Sequence, residues 1–479
     1  MNNETPIKIE TLEFDPSEQE VISSNLGDKR LDERLKMIIR AFEAKPQASI
    51  PEAMGQWSGS KAAYRFFDNP KVTSEKILKP HQAALAQRIG REKILLAIQD
   101  TSMVDYTNHP QTKNLGCLGD ENHQGIILHP TLLSTAAGIP MGLIDIQFLK
   151  REQIGSRENW AKRSIEEKES MKWLNSYRAT FEFAKEHPQH HLINIADREG
   201  DVYELFQEAL DNKQQFGCQL DVLVRAAWNR KLMDQHGYLW DYLESQPIVA
   251  KNTLQLPRRN ERPARRAKLS IRCAAIQLRP PRRRKKSFIE LRPIQLWAIY
   301  LKEDHPPKNA EPITWMLLTT ITINDAAQAL DLVEYYVRRW LIEIYFKILK
   351  SGCLIEERQL QAEHRLINCL TVDSIIAWRI LFLTMLGRSL PELPATVLFQ
   401  RAEYTALFLF LGQNKKILPT TPSLGQVIFA IATLGGFLAR SRDRFPGVVS
   451  IWRGMWRLSD ITASWKIFTA SSVQLMGKG

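Results

Sequence analysis

The chain has 479 residues, which is too long for one ordinary hydrophobic core and indicates roughly two to four domains. Apolar residues make up 44% and charged residues 25%, values that belong to folded globular proteins and exclude a mainly disordered chain. The net charge of +12 favours polyanionic partners, with nucleic acid first and anionic membrane second.

The first part of the chain predicts a helical region. After a lead-in of irregular pattern over residues 1–25, helical periodicity runs over Asp32–Glu43 and again over Pro51–Phe67. The second pattern ends at the turn-forming residues Asp68, Asn69 and Pro70. We therefore assign residues 1–75 to a helical N-terminal domain.

The next part alternates strand and helix patterns. Three apolar runs separated by turns predict consecutive antiparallel strands at Lys93–Gln99, Gly125–Thr135 and Met141–Leu149. They are followed by a charged helix, a strand, a second helix and a further strand, at Glu158–Lys185, His191–Ala196, Asp201–Leu210 and Gln215–Ala226. This order predicts a mixed α/β fold in which helices cover a mixed sheet.

A segment rich in Pro and Arg then interrupts the pattern over residues 230–312. Its short alternating runs, Lys268–Ile276 and Ile294–Leu301, predict a β-rich insertion. The positive charge of the chain is concentrated here, because residues 257–286 contain ten Arg, three Lys and one Glu. A solvated basic loop without a partner is the alternative, although so many cations repel one another unless an anion lies near.

The remaining part returns to the sheet and ends in helices. Ile313–Ile321 predicts a strand, and a long helix follows from Asp325 to about Lys350. Two later apolar stretches, Leu366–Leu386 and Leu424–Ala439, are interpreted as buried helices. The first carries Asn, Asp and Arg residues, and the second is shorter than the ~20 residues of a membrane span.

Cysteines and the N-terminus indicate the compartment. The five cysteines are odd in number and form no CxxC pair, which argues against a disulfide framework or a zinc knuckle. The acidic, polar N-terminus lacks the pattern of a signal peptide. We therefore expect a protein of a reducing, cytoplasmic compartment.

Two aspartates follow strand ends where a site can form. Asp100 comes directly after the first strand, and Asp197 comes directly after HLINIA. Ligands bind at the carboxyl ends of parallel strands, so both carboxylates are candidate ligands or catalysts. Each also has a purely structural alternative, since Asp100 can open a turn and Asp197 can cap the following helix.

The long helix carries a polar stripe. Tyr336, Arg339, Glu343 and Lys350 are spaced by 3, 4 and 7 residues and fall within one narrow face. A solvated surface stripe with an Arg339–Glu343 pair is the alternative. If Glu343 converges with the two aspartates, divalent cations would offset the repulsion, and the set would suit phosphoryl transfer. Mg²⁺ prefers such carboxylate and water oxygens.

At these residues the sequence resembles the bacterial insertion-sequence DDE transposases with an RNase H-like core. It is most similar to the cut-and-paste group with a YREK signature, to which the Tn-five transposase belongs. Tyr336, Arg339, Glu343 and Lys350 match that signature in type and spacing. Further landmarks occur in the family's order: LGDKR, AYRFF, LLAIQDTS, ADREGD, RPARRAKLSIR, a Trp before LLT, and LGGF. The first 25 residues and the more basic RPPRRRKK segment (279–286) depart from the family pattern.

The resemblance implies roles for individual residues. Asp100, Asp197 and Glu343 match the catalytic, metal-binding carboxylates, which implies two Mg²⁺ ions for which Mn²⁺ can substitute. The other matches imply DNA contacts. Tyr336, Arg339 and Lys350 would hold transposon-end phosphates, Trp315 and Arg225 would contact a flipped base, and Arg30, Tyr64 and Arg65 would contact the DNA end.

The resemblance also implies an organisation and partners. Residues 1–75 would bind DNA ends, 76–229 and 313–365 would form the catalytic core, 230–312 the basic β insertion, and 366–479 a dimerisation domain. The partners would be double-stranded DNA, as transposon ends and target, and a second copy of the chain, with no membrane. Two alternatives stay open: a catalytically silent DNA-binding inhibitor, and a structure-selective nuclease on the same core.

Overall fold

The structure is a computed structural model. It describes residues 16–120, 122–151, 164–233, 237–256, 264–281, 290–308, 311–412, 421–440 and 443–476. Most of the irregular lead-in predicted over residues 1–25 lies outside these residues. So does much of the basic stretch 257–286, including 282–286 of the RPPRRRKK segment.

The N-terminal region is helical, as predicted. Its helices are α1 (Pro16–Gln19), α2 (Lys29–Ala44), α3 (Ile50–Met54), α4 (Trp57–Phe67) and α5 (Ser74–Arg88). The pattern over 51–67 forms two helices rather than one, because Gly55 adopts a left-handed conformation with φ of 70° and ends α3. No element is predicted from sequence for α5, whose pattern Pro80 interrupts.

The described strands form one mixed sheet. They are β1 (Ile94–Gln99), β2 (Ser102–Asp105), β3 (Gly116–Cys117), β4 (Gln124–Thr135), β5 (Pro140–Leu149), β6 (His191–Ala196), β7 (Leu220–Arg225), β8 (Ala250–Leu256), β9 (Arg265–Leu278), β10 (Ile294–Glu303) and β11 (Thr314–Thr319). The order is β2-β4-β1-β6-β7-β11-β10-β9-β8, with β5 also paired to β4. Strands β1, β6 and β7 are parallel neighbours, and β4 is antiparallel to both β1 and β5. The mixed α/β fold with an RNase H-like core is therefore confirmed.

The β-rich segment extends the same sheet. Strands β8, β9 and β10 pair antiparallel in sequence, and β10 pairs with β11, which in turn pairs with β7 of the core. A short helix, α8 (Leu239–Ser245), packs on β9 and β10. The basic segment is thus joined to the strands that carry the site.

Two core helices differ in extent from the sequence prediction. α6 (Met171–Glu186) begins well after Glu158, and residues 152–163 lie outside the described part. α7 (Tyr203–Phe216) continues past Leu210 until Gly217 ends it with a φ of 61°. Strand β7 is therefore shorter than the predicted Gln215–Ala226.

The predicted long helix is broken. α9 (Ala326–Arg338) and α10 (Trp340–Lys347) meet at Arg339, and a π-helical turn follows over Ile348–Gly352. The amide of Arg339 bonds to the carbonyl of Tyr336, which tightens the chain locally at the break. The break thus lies within the stripe that was predicted to carry the site.

A long buried helix connects the two ends of the chain. α11 (Glu363–Ser389) is long and apolar enough to cross a membrane, but its apolar window lies entirely inside the protein, as predicted for a core helix. The buried Arg358 pairs with Asp373 of α11 at 2.7 Å and donates to the carbonyl of Ala48 at 2.6 Å. The rest of the C-terminal region comprises α12 (Arg401–Phe410), α13 (Leu424–Leu434) and α14 (Val448–Met476).

Candidate active site

Two aspartates lie side by side at the carboxyl end of the central strands. Ile98 of β1 is opposite Ile195 of β6 in the parallel register. Asp100 and Asp197 each lie two residues beyond this pair, and the charge of Asp197 affects Asp100. The amide of Thr101 donates to Asp100 at 2.7 Å, and Asp197 caps a short 3₁₀ helix. Asp197 therefore has the capping role of its structural alternative, whereas no turn begins at Asp100, which strand β2 follows closely. Both aspartates lie at the same sheet edge.

The next strand extends this row with a cation. Ala196 of β6 is opposite Val224 of β7, so Arg225 continues the row beside Asp197. Arg225 also lies opposite Leu317 of the antiparallel β11. Burial lowers the pKa of Arg225, although the neighbouring Tyr336 opposes this effect.

The break between α9 and α10 directs Arg339 towards the same edge. One guanidinium nitrogen of Arg339 lies 2.9 Å from Asp100, and the other lies 2.7 Å from Glu343. The Arg339–Glu343 pair expected of a surface stripe does form, but Arg339 is largely buried and also binds a strand residue distant in sequence. Arg339 therefore links the helix to the sheet by a tertiary contact and does not lie on a solvated face.

The acidic residues affect one another electrostatically. Burial and the charges of Asp197 and Glu343 together raise the pKa of Asp100 to about 6, against the opposing effects of Thr101 and Arg339. Like charges act in this way only when they lie close together in a poorly solvated site. The fold thus places the three predicted carboxylates in one electrostatic neighbourhood.

A guanidinium lies between two of these carboxylates. Among the residues that the structure describes, no three Asp, Glu, His or Cys side chains are arranged closely enough to hold a metal ion. Arg339 instead bridges Asp100 and Glu343. The convergence of all three acids around metal ions stays a prediction, and it requires this guanidinium to move.

An aromatic cluster borders the acids. The rings of Trp315 and Tyr336 meet edge-on with centroids 5.3 Å apart, and the guanidinium of Arg225 lies 5.7 Å from the Trp315 ring. Tyr336 is only 4% exposed, so this member of the polar stripe is part of the core. Its ring packs against Trp315 of β11. Burial raises the pKa of Tyr336.

Lys350 is part of a different contact. Its ammonium lies 3.1 Å from Glu356 and also donates to the carbonyl of Met103 on β2. The π-helical turn that contains Lys350 follows α10 and thereby connects this helix to β2 at the edge of the sheet. The structure does not bring Lys350 into the Arg339 ion-pair cluster.

The predicted DNA contacts of the N-terminal region lie on its surface to different degrees. Arg30 is 91% exposed and pairs with Asp28 at 2.8 Å, Arg65 is exposed, and Tyr64 is partly buried. Sequence analysis missed Trp57, whose side chain is 80% exposed at the start of α4. A tryptophan in a helix pattern is ordinarily assigned to the core, so only the structure identifies it as a surface residue.

Sequence analysis also missed a residue that supports the site. The buried Asp201 accepts hydrogen bonds from the amides of Ala227 and Trp228 at 2.8 and 3.1 Å, and it pairs with Arg230. It thereby fixes the loop that follows Arg225. Asp201 is the second aspartate of the ADREGD segment, and it lies four residues beyond the strand-end Asp197. A pattern based on acids directly after strands therefore does not identify it.

Three family models match the chain in succession. "Transposase DNA-binding" matches residues 16–72, "Transposase DDE domain" matches residues 187–370, and "Transposase Tn5 dimerisation domain" matches residues 375–468. The middle match includes Asp197 and Glu343 but begins after Asp100. The three domains occur in the order that the fold shows, with helices at both ends and the mixed sheet between them. The chain therefore belongs to the Tn5-type DDE transposases and is a DNA transposase.

Proposed function

We propose that this transposase moves DNA by a cut-and-paste reaction that comprises strand cleavage, hairpin formation and strand transfer. One observation carries the proposal: Asp100 and Glu343 share a cation, Arg339, directly beside Asp197 at the sheet edge. A site that gathers carboxylates around a cation in a DNA-binding protein is suited to phosphodiester chemistry.

The chemistry of the three carboxylates, although not their present arrangement, suits divalent cations. Their mutual repulsion and burial raise the pKa of Asp100, and a cation of higher charge than a guanidinium would relieve this repulsion more fully. Oxygen ligands with room for phosphate are typical of Mg²⁺ sites. We infer that Asp100, Asp197 and Glu343 hold two Mg²⁺ ions, with Mn²⁺ as a substitute. When bound, such ions activate the attacking oxygen and stabilise the leaving one.

Arg339 has a second destination in this proposal. Its planar fork binds two carboxylates here, and the same geometry suits two phosphate oxygens. We propose that Arg339 exchanges its carboxylate partners for a phosphate near the scissile bond when end DNA binds. Lys350 would similarly leave Glu356 for a neighbouring phosphate, and Tyr336 would keep Arg339 oriented.

The aromatic cluster suits an unpaired base. Trp315 is half-buried beside Arg225, and a ring and a guanidinium offer two surfaces on which a base can stack. We propose that these residues receive a base that is flipped out of the duplex during hairpin formation. Extrusion of a base costs a few kcal/mol, and a preformed stacking surface offsets part of this cost.

The ends of the chain supply binding and assembly. We propose that Arg30, Tyr64 and Arg65 contact the transposon end, since they lie within the matched DNA-binding domain. We further propose that two chains join two ends as a homodimer. The matched dimerisation domain supports this, and it includes Phe410 and Leu438, whose side chains are 57% and 66% exposed.

The experiment uses purified protein, Mg²⁺ and DNA that carries the inverted repeats flanking the source element. Asp100→Asn and Glu343→Gln should abolish nicking while they leave end binding intact. Asp145→Asn is the matched control, because Asp145 is also a carboxyl whose pKa burial raises to about 6, but it lies on β5.

The possible outcomes separate the proposed function from the alternatives. Normal cutting by either active-site variant would overturn the site assignment. End binding by the parent protein without Mg²⁺-dependent nicking would favour a silent DNA-binding inhibitor. Efficient nicking without joining of the 3′ end to target DNA would favour a structure-selective nuclease.

A further inference from the structure

A chain of buried polar side chains runs beneath the two aspartates. Gln99 and Asn194 are fully buried in β1 and β6, the strands that carry Asp100 and Asp197, and the side chain of Gln99 donates to Asn194 at 2.6 Å. This bond crosses the same strand pair whose ends present the acids. Buried amides are costly unless they are paired, so such a contact inside a sheet constrains both strands.

The chain continues to the site through a histidine of β4. His129 is fully buried, and its Nε2 lies 3.0 Å from the carbonyl oxygen of the Gln99 side chain. Its Nδ1 lies 2.9 Å from the hydroxyl of Thr101, the residue that follows Asp100. The Thr101 amide also donates to Asp100, so the chain ends on a residue in direct contact with this acid.

The other end of this hydrogen-bonded chain of side chains lies in helix α6. The amide of Asn194 donates to the hydroxyl of Thr180 at 3.4 Å, and this hydroxyl donates to the carbonyl of Ser176 at 2.8 Å, both in α6. Three strands and one helix are thereby connected by side chains alone. The hydrogen-bonded residues Gln99, His129, Asn194 and Thr180 are all fully buried.

The hydrogen bonds assign one direction to the whole chain. The Gln99 carbonyl oxygen can only accept, so His129 must donate from Nε2, and its Nδ1 must accept the hydroxyl proton of Thr101. Each member therefore donates to the next, from Thr101 to the carbonyl of Ser176. The direction requires a neutral His129, and burial lowers its pKa well below the ordinary value.

We propose that Gln99, Asn194, His129 and Thr101 are positioning residues that hold Asp100 and Asp197 at the spacing needed to share divalent cations. The inference rests on the proposed function of this site. Side chains that orient the ligands of a metal typically change its affinity by about 10- to 100-fold when they are removed. They do so without touching the metal or the substrate.

The test replaces the central pair by apolar residues of similar shape. Gln99→Met together with Asn194→Leu removes both partners of the central bond. It also leaves the buried Nε2 of His129 without its acceptor, which lowers the stability of the fold. We expect Mn²⁺ binding to the protein in complex with inverted-repeat DNA to weaken at least about 10-fold. The electron paramagnetic resonance of free Mn²⁺ measures this binding, with the same DNA alone as the blank. Binding of inverted-repeat DNA without metal should not change.

A matched control separates positioning from general packing. Thr131→Val removes another buried hydrogen bond of the same region, the 2.8 Å contact from Thr131 of β4 to Ser176. It should leave Mn²⁺ binding unchanged. Equal Mn²⁺ affinity in the double variant and the parent protein, or equal weakening in both variants, would overturn the proposal.

A milder pair of variants covers the case in which the double variant does not fold. Thr101→Val removes the hydroxyl at the end of the chain, and Thr101→Ser retains it. Weaker Mn²⁺ binding in Thr101→Val, with recovery in Thr101→Ser, supports the proposal, whereas equal binding in the two contradicts it. If the parent protein binds Mn²⁺ but never nicks DNA, the proposed function fails, and the positioning inference is still decided by the Mn²⁺ affinities.

Discussion

Replacement of Asp100 by asparagine should stabilise the metal-free protein at neutral pH. Because burial and neighbouring acids raise the pKa of Asp100 from 3.8 to about 6, the folded state holds its proton more tightly than the unfolded state. The stability that this proton provides is complete below the unfolded value and is lost as the pH rises through 6. A difference of about two pH units corresponds to about 3 kcal/mol of unfolding free energy.

The assay is urea unfolding of the parent protein and Asp100→Asn without divalent ions, at about pH 3 and about pH 8. We expect the variant to be more stable by about 2–3 kcal/mol at the higher pH and nearly equal at the lower pH. Asp145→Asn should show the same trend without loss of nicking, since burial also raises the pKa of Asp145 to about 6. A variant that is less stable at the higher pH would refute the reasoning.

Three further predictions concern acid stability and DNA binding. Burial alone would raise the pKa of Glu20, but Arg88 and His81 outweigh it and lower this pKa from 4.5 to about 2. The ionised carboxylate therefore stabilises the fold above pH 4.5, and this stability is lost as the pH falls towards 2. Glu20→Gln should cost about 3 kcal/mol of unfolding free energy at neutral pH and little at about pH 2, measured by urea titration. Trp57→Ala should leave the melting temperature unchanged, because the indole is 80% exposed, but should weaken end binding in a gel-shift assay. The affinity for end DNA should fall by about 10³-fold or more between about 50 and 200 mM salt if six or more phosphates are neutralised. An affinity that does not depend on salt would contradict a role of the basic residues in binding DNA.

Much of the sheet could be predicted from local pattern. The strand predicted over His191–Ala196 agrees with the structure residue for residue, because the apolar run ends at the polar Asp197. The placement of Asp100 and Asp197 after parallel strands followed from the same reasoning. α5 was missed because Pro80 interrupts its periodicity, yet packing against α11 and β5 stabilises it as a helix.

Long-range contacts could not be predicted in this way. Nothing in the helical spacing indicates that the helix breaks at Arg339 or that this residue pairs with Asp100. Gln99 and Asn194 look like the polar residues of a half-exposed strand, and only the stacking of the helices on the sheet makes them buried partners. The pairing of β11 with β7 likewise joins residues that are distant in sequence, such as Leu317 and Arg225.

The central claim is that Asp100, Asp197 and Glu343 form one site for divalent cations from which Arg339 withdraws when DNA binds. The most direct measurement is an anomalous difference map from crystals of the protein with inverted-repeat DNA and Mn²⁺. The account predicts Mn²⁺ peaks among the three carboxylates and the Arg339 guanidinium on a phosphate. Peaks only elsewhere, with Arg339 still bridging Asp100 and Glu343, would contradict it.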